Sequence, residues 1–392
     1  MGRFPGSIAK TVLTITLGLA GAFYAFFAAL PSATGSDGAA MVWPATAIAL
    51  SGELDEHFGA LTGSSVRPTG LADPRYGRAA AEVLRVEPAD FDAMRTLAVH
   101  LEMAGQVERT PKRMNAINRL YKRDEALGLW LAQDSLKRGE LDTALTHLDR
   151  ILRTSGDRRG TILSFMTPII SREEARTPLL RILRSNPSWE RDFWYAVTRS
   201  PASTRNGLIL RTALVDTPTQ ADEQQTAELL MRGIEQGHYD EAGSLYRALT
   251  RSGPLDRLRN AAFTAPARFP PFDWELPEGD VNAVIDPASD RLYVGARPTV
   301  AGTAARQILR LAPGTYTVTF ELADGQKDDV EVAVGLRCLG ANGDASASRN
   351  ESGREYTVSA RCPWQEFYID MPYDSVDREV VFEQVGLARS RP

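Results

Sequence analysis

Residues 97–105 read Leu-Ala-Val-His-Leu-Glu-Met-Ala-Gly, and residues 131–139 read Leu-Ala-Gln-Asp-Ser-Leu-Lys-Arg-Gly. Three residues of the first stretch recur in the second with a displacement of 34 residues. The matching pairs are Leu97 and Leu131, Ala98 and Ala132, and Gly105 and Gly139. Apolar residues at helical spacing that end on a glycine indicate a helix followed by a turn. The two stretches therefore predict a fold built from repeated helix hairpins.

The same register continues beyond each glycine. Thr110 corresponds to Ala144, and a third copy of the pattern contains Gly237 and Ala242. A helix-turn-helix period of 34 residues resembles tetratricopeptide repeats, in which a glycine permits the turn and an alanine lets two helices approach closely. The resemblance implies a helical solenoid over residues 36–262, and a generic stack of helix hairpins is the alternative. It departs from the family at Gly128, where an aromatic residue is expected.

Stacked helix pairs of this kind imply a scaffold. They form a superhelix with a long concave surface that holds peptides or partner proteins, and they lack a pocket designed for chemistry. The resemblance therefore implies protein partners along the helical repeats. It does not name them.

The N-terminal segment carries a candidate membrane anchor. Residues 11–30 contain no charged side chain, and twenty helical residues reach about 30 Å, the thickness of a bilayer core. Arg3 and Lys10 precede the apolar run, which favours a cytoplasmic N-terminus and a periplasmic body. We therefore predict a single-pass signal-anchor over residues 1–35 of a bacterial inner-membrane protein. A cleaved signal peptide and a buried soluble helix are the alternatives.

The helical pattern stops at a proline-rich segment, residues 263–273, which we interpret as the linker between two domains. From there the apolar residues alternate with a period of two, which is typical of β-strands. Eight candidate strands are residues 281–285, 291–295, 307–311, 315–322, 330–338, 356–362, 365–371 and 380–387. They predict an antiparallel β-sandwich, most simply a jelly roll, over residues 274–392. The whole chain is thus expected to be a multidomain α plus β protein.

One strand of this domain carries candidate ligand contacts. Residues 307–320, with their Pro-Gly turn, resemble the opening strands of carbohydrate-binding modules. Four residues alternate with the apolar Phe367 and Ile369 and are expected to share the outer face of their strand, where an aromatic plane beside carboxylates suits a sugar. They are Trp364, Glu366, Tyr368 and Asp370. Contact with a protein, or a purely structural role that seals the sandwich edge, is the alternative.

The two cysteines, Cys338 and Cys362, both fall on the apolar phase of predicted strands. In an oxidising compartment two inward cysteines on neighbouring strands form a disulfide when their Cα atoms come within about 4.4 to 6.8 Å. We predict this bond, and it agrees with a periplasmic body.

Charge limits the partners. The net charge of the chain is -5, so the sequence does not favour nucleic acid as a partner. From residue 271 onward, 12 Lys and Arg face 20 Asp and Glu, so a glycan bound there should be neutral or weakly charged.

No catalytic, cofactor or metal motif is present, and we predict neither an enzyme nor a cofactor. His147 and His238 fall within the repeats and are interpreted as solvated helix residues. The acidic residues 324–331 are interpreted as a solvated turn, with a calcium site as the alternative. Glu366 and Asp370 could form a glycosidase pair, which is the less favoured enzymatic hypothesis.

The order of anchor, repeats, proline-rich segment and sandwich resembles that of bacterial repeat proteins that accompany cell-surface polysaccharide assembly. The resemblance implies a membrane-anchored scaffold whose repeats dock proteins and whose sandwich contacts a saccharide or a protein. A structural or oligomerisation module without a saccharide ligand is the alternative for the sandwich.

Overall fold

The computed structural model describes residues 74–106, 109–122, 125–156, 159–323, 332–340, 348–349 and 355–390. These residues form 11 α-helices and two antiparallel sheets, which confirms the predicted α plus β composition. The predicted signal-anchor over residues 1–35 and the acidic run 324–331 lie outside the described residues. None of the described helices combines the length and the apolar character that a membrane crossing needs.

The chain divides into two compact units, Met1–Phe193 and Trp194–Pro392, here called the N-terminal unit and the C-terminal unit. The helices are α1 (Pro74–Val86), α2 (Phe91–Met103), α3 (Thr110–Leu120), α4 (Glu125–Lys137), α5 (Leu141–Leu152), α6 (Arg159–Ile170), α7 (Arg176–Leu183), α8 (Glu190–Thr198), α9 (Pro201–Ala213), α10 (Glu223–Glu235) and α11 (Tyr239–Thr250). Helices α9 to α11 therefore belong to the same unit as both sheets.

The three glycines of the predicted repeats occupy equivalent turns. Gly105, Gly139 and Gly237 follow helices α2, α4 and α10 with φ of +88°, +77° and +77°, the left-handed region that glycine enters without steric penalty. In each turn the N–H of the next residue donates to the carbonyl five positions back, as in the Schellman motif. These bonds join Gln106 to Leu101 (2.9 Å), Glu140 to Ser135 (2.8 Å) and His238 to Gly233 (2.8 Å).

The residues that follow each glycine also occupy equivalent places. Thr110, Ala144 and Ala242 lie in the first turn of the second helix and are completely buried. Among the other signature residues, Leu97 is half-buried, whereas the rest are buried. The buried ones are Ala98, Leu131 and Ala132. The departure at Gly128 has a packing reason, because a Cβ there would collide with the side chain of Ile151.

Both sheets belong to the C-terminal unit. The strands are β1 (Val281–Asp286), β2 (Arg291–Ala296), β3 (Gly302–Leu309), β4 (Gly314–Leu322), β5 (Ala333–Leu339), β6 (Ser348–Arg349), β7 (Glu355–Val358), β8 (Trp364–Met371) and β9 (Arg378–Arg389). One sheet has six strands in the order β1-β2-β9-β4-β7-β6, and the other has three in the order β3-β8-β5. Each of the eight predicted strands overlaps an observed one, and β6 is an addition.

The core of this unit draws on both sheets. Buried apolar residues of the six-stranded sheet, such as Leu292 and Phe382, join Phe367 and Ile369 of β8 in one cluster. The predicted linker, residues 263–273, is irregular and contributes Phe263 and Phe272, both fully buried. As a boundary between domains this segment stays a prediction.

The predicted disulfide is confirmed. Cys338 at the end of β5 is bonded to Cys362 just before β8, with a Cα–Cα distance of 5.7 Å. The bond closes a 24-residue separation between two hydrogen-bonded strands of the smaller sheet.

Candidate functional site

The face of β8 that points away from the sheet core carries the four residues expected to contact a ligand. Phe367 and Ile369 are fully buried, and Tyr368 and Asp370 on the other face are half-buried. Trp364 and Glu366, however, are only 3% and 2% exposed. The expectation of an open outer platform is therefore wrong at these two residues, because other parts of the same unit cover them.

Trp364 is covered by helix α11 and by the segment that precedes the sheets. Its ring lies 6.0 Å from the ring of Tyr239 and 6.2 Å, edge to face, from that of Phe272. Gly243 of α11 makes this packing possible, since a Cβ at that position would lie 2.6 Å from Cη2 of Trp364. The indole thus seals the smaller sheet against a helix. This agrees with the purely structural role that the sequence left open as the alternative.

Glu366 sits between two guanidinium groups from the neighbouring strands. Arg337 of β5 forms a hydrogen-bonded ion pair with it, and Nη1 of Arg306 on β3 lies 3.5 Å from its Oε2. Arg306 also forms a bidentate pair with Glu275, with both N–O distances 2.8 Å. Burial opposes the charge on Arg306, but the hydrogen bonds to Glu275 prevail and raise the pKa of its guanidinium.

Asp370 belongs to the same network. It accepts a 2.6 Å hydrogen bond from the hydroxyl of Thr303 and lies 3.4 Å from Nη1 of Arg337. The guanidinium of Arg337 also stacks over the ring of Tyr368, 4.6 Å from its centroid. The charged side chains Glu366, Asp370 and Arg337 are therefore paired within the protein, which is how buried charges are normally stabilised.

This network does not resemble an acid–base pair. A general acid or nucleophile needs a carboxyl oxygen within reach of a substrate, whereas Glu366 and Asp370 are both bound to Arg337. Among the residues that the structure describes, no group of His, Cys, Asp and Glu is arranged to hold a metal ion.

A small cavity opens beside Trp364. Its volume is about 90 Å³, and its lining combines charged, apolar and aromatic groups. The lining residues are Asp240, Gly243, Arg247, Pro254, Leu255, Arg310 and Trp364. Arg310 lies over the indole, with its guanidinium carbon 5.4 Å from the ring centroid, and its Nη1 is 3.2 Å from Oδ1 of Asp240.

Sequence reasoning found Trp364 but missed the charged residues of this cavity. Asp240 and Arg247 come from α11, whereas Arg310 follows β3, and no motif joins segments so far apart in the chain. A backbone hydrogen bond of 2.6 Å, from the N–H of Arg310 to the carbonyl of Leu255, ties these segments together.

The two histidines that fall within the predicted repeats differ from the expectation of solvated side chains. His147 and His238 are both half-buried. Burial lowers the pKa of the His147 imidazole, and the nearby charges of Arg150 and Arg138 lower it further.

Comparisons with protein families and with curated proteins supply no relative from which a function can be transferred. No protein-family model matches the chain, and no curated protein matches it significantly. The function must therefore be inferred from the residues and their geometry.

Proposed function

We propose that the chain is a non-catalytic scaffold of the bacterial envelope, anchored in the inner membrane by residues 1–35. Tetratricopeptide-like repeats over residues 36–262 dock protein partners in the periplasm. The two sheets form a jelly-roll-like module that contacts a saccharide or another protein during cell-surface polysaccharide assembly. The observation that carries this proposal is the recurrence of one turn geometry at Gly105, Gly139 and Gly237.

Equivalent turns support repeats rather than unrelated hairpins. The left-handed glycine, the carbonyl bond five residues back and the buried small residue that follows are shared by all three turns. Arrays of such units commonly present side chains along one surface to a partner. Val86 and Leu120, at the ends of α1 and α3, are 84% and 68% exposed, and exposed apolar side chains of this size suit a protein contact.

The disulfide supports the periplasmic location. Disulfides persist in oxidising compartments and are rare in the cytosol, and Cys338–Cys362 is buried at the Cys362 end. An uncharged run over residues 11–30 that precedes the body agrees with an exported, anchored protein.

The ion pairs on β8 support a non-catalytic role. Glu366 is buried and bound to Arg337 and Arg306, so a substrate would have to displace two cations to reach it. Removing a buried charge from its partners is costly, which favours a fixed structural network.

The burial of Trp364 under α11 favours a second candidate for the sheets, a structural cap without a saccharide ligand. In that case the smaller sheet covers the last helix hairpin, α10 and α11, of its own unit. The two candidates differ in whether the sheets take any ligand, and both leave the docking role of the repeats unchanged.

Site-specific photo-crosslinking in intact cells tests the docking role. A photoreactive residue in place of Leu120 should form a crosslinked product of one constant mass with a protein partner, because this side chain is exposed and apolar. The same residue at Glu174, an exposed polar position of the N-terminal unit, is the matched control. Identical products at both positions, or none at Leu120, would refute docking through this end of the repeats.

A further inference from the structure

The geometry points to a binding site for a uronic acid residue of a saccharide in the cavity between Arg310, Arg247 and Trp364. The proposal deepens the proposed function, and rests on it, because it names a ligand class for the C-terminal unit. It differs from the β8 platform expected from the sequence, because Trp364 alone of those four residues lines the cavity and the charged contacts come from α11 and from the residue after β3.

The first observation is an unsatisfied donor. The Nε1 atom of Trp364 is buried and has no hydrogen-bond partner, although the side chain lines the cavity. The neighbouring edge of the indole faces the same cavity wall, since Cζ2 lies 3.4 Å from where a Cβ on Gly243 would be. A buried donor without a partner costs free energy, so an acceptor from the cavity gains a hydrogen bond once a small shift of the covering side chains exposes Nε1.

The second observation is an excess of cationic donors. Two guanidinium groups and one carboxylate line the cavity, and each guanidinium carries five N–H donors. Arg310 uses one nitrogen, Nη1, for its ion pair with Oδ1 of Asp240 at 3.2 Å. Arg247 makes two long hydrogen bonds, both 3.4 Å, to the Gly243 carbonyl and the Ser244 hydroxyl. Donors therefore remain for an anionic acceptor, and planar guanidinium groups match a carboxylate.

Size and access limit the ligand to one small group at a time. The cavity volume of about 90 Å³ is smaller than the roughly 150 Å³ that accepts a benzene ring, so it suits a carboxylate with its neighbouring carbon. The side chains of Arg310 and Asp240 are 52% and 68% exposed, so the cavity is reached from solvent. A carboxylate can therefore enter while the rest of a larger molecule stays outside.

The rim favours a saccharide over an acidic peptide. The carboxylate of Asp240 accepts hydrogen bonds from hydroxyl groups, which a uronic acid carries next to its carboxylate and a glutamate side chain does not. Pro254 and Leu255 supply an apolar wall for the C–H groups of a sugar ring. A single uronic acid also agrees with the acidic balance from residue 271 onward, which would repel a strongly anionic polymer.

Nuclear magnetic resonance of the indole N–H groups of the full chain tests the site. Trp364 is assigned with Trp364→Phe, and the chain is titrated with glucuronate, glucose, acetate and N-acetylglutamate. We expect glucuronate to shift the Trp364 indole signal and to bind about tenfold or more tightly than glucose, because only glucuronate offers the carboxylate. Acetate and N-acetylglutamate should bind more weakly than glucuronate.

Variants locate the effect. Arg310→Gln should weaken glucuronate binding about tenfold. Because this substitution also removes the partner of Asp240, Arg247→Gln is the second variant, and it should weaken binding as well while the Arg310–Asp240 pair stays intact. Arg297→Gln is the matched control, because Arg297 is an exposed arginine of the same unit that is also paired with an aspartate. An unchanged Trp274 indole signal shows that each variant is folded.

Several results would overturn the proposal. An equal response to glucose and glucuronate, or undiminished binding by both arginine variants, removes the carboxylate site. Tighter binding of N-acetylglutamate reassigns the cavity to acidic peptides, and equal binding of acetate reassigns it to free carboxylates. None of these results touches the docking role, since crosslinking at Leu120 probes the N-terminal unit.

Discussion

The helix hairpins and the two sheets are stabilised over very different distances along the chain. In a hairpin the turn is fixed by a glycine, a carbonyl five residues before the next N–H and a small residue soon after, as at Gly139 and Ala144. In the sheets, Leu292 of β2 pairs with Phe382 of β9, and Arg306 of β3 pairs with Tyr368 of β8. Local rules therefore decide the hairpins, whereas distant partners decide the sheets.

A residue pattern can therefore show which residues share a face of a strand, but not which residues cover that face. Alternation along β8 separates Phe367 and Ile369 from the four residues of the other face. It does not say what lies against that other face, because residues that cover Trp364, such as Tyr239 and Gly243, belong to α11, about 120 positions earlier. Because the hairpins depend on local contacts and the sheets on distant ones, substitutions should act in different units and with different strength.

Trp364→Ala should have the largest effect. The side chain is 3% exposed and packs against Tyr239, Phe272 and Gly243, so its loss leaves a cavity that costs about 3–5 kcal/mol. Hydrogen exchange measured by mass spectrometry should show this loss in peptides from β8 and α11, and none in the N-terminal unit. Exchange also avoids a two-state assumption for a chain of two units.

Tyr373→Ala is the control for that substitution. Tyr373 is an aromatic residue of the same unit that is 68% exposed, so its truncation should change stability by less than about 0.5 kcal/mol. Equal effects of the two substitutions would mean that α11 does not seal the smaller sheet.

Removing the disulfide with Cys338→Ala and Cys362→Ala should rank second. The bond closes a 24-residue separation, for which about 2–4 kcal/mol is typical. Compared with the oxidised unsubstituted protein, the variant should lose protection in β5 and β8 and keep it unchanged in α4 and α5. An equal loss of protection in both units would mean that the helix hairpins also depend on contacts between distant segments, contrary to the comparison of hairpins and sheets.

Much of the fold could be predicted from the sequence, and the reason lies in these distances. The turn at Gly139 and the strand around Phe367 follow from patterns within ten residues, and the cysteine pairing follows from two inward positions on predicted strands. The covering of Trp364 and the approach of Arg310 to Asp240 could not be predicted, because they depend on how distant segments pack.

The candidate cavity illustrates the same limit. Trp364 was identified because it stands in an alternating strand, but as part of an open platform. Arg310 and Arg247 carry no local signature, since arginines are common on protein surfaces. The unsatisfied indole Nε1 together with the cavity beside it, both properties of the folded chain, single out this place.

Gly139→Ala should have a moderate effect, confined to the N-terminal unit. Its φ of +77° is left-handed, which costs an alanine about 1–2 kcal/mol, although no atom lies within 4 Å of a Cβ there. Gly160→Ala, near the start of α6, is the matched control with equally open space and no left-handed φ. It should be neutral or stabilise by up to about 1 kcal/mol. If exchange in α4 shows no greater loss for Gly139→Ala than exchange in α6 shows for Gly160→Ala, the turn does not depend on glycine.

His147 on α5 should give the smallest effect, a pH dependence of the N-terminal unit. Burial, followed by the charges of Arg150 and Arg138, lowers the pKa of its imidazole below the value of about 6.5 in the unfolded chain. The unfolded chain therefore takes up a proton first as the pH falls, so stability is complete above about pH 6.5 and decreases below it, by at most about 1.4 kcal/mol per pH unit. His147→Gln should remove this part of the decrease between pH 7.5 and 5, measured as the protection of α5, whereas Thr146→Ala, an exposed neighbour that does not titrate, should retain it. If His147→Gln and the unsubstituted chain lose protection in parallel, the imidazole is as solvated as its sequence position indicates, and the hairpin interior does not exclude its charged form.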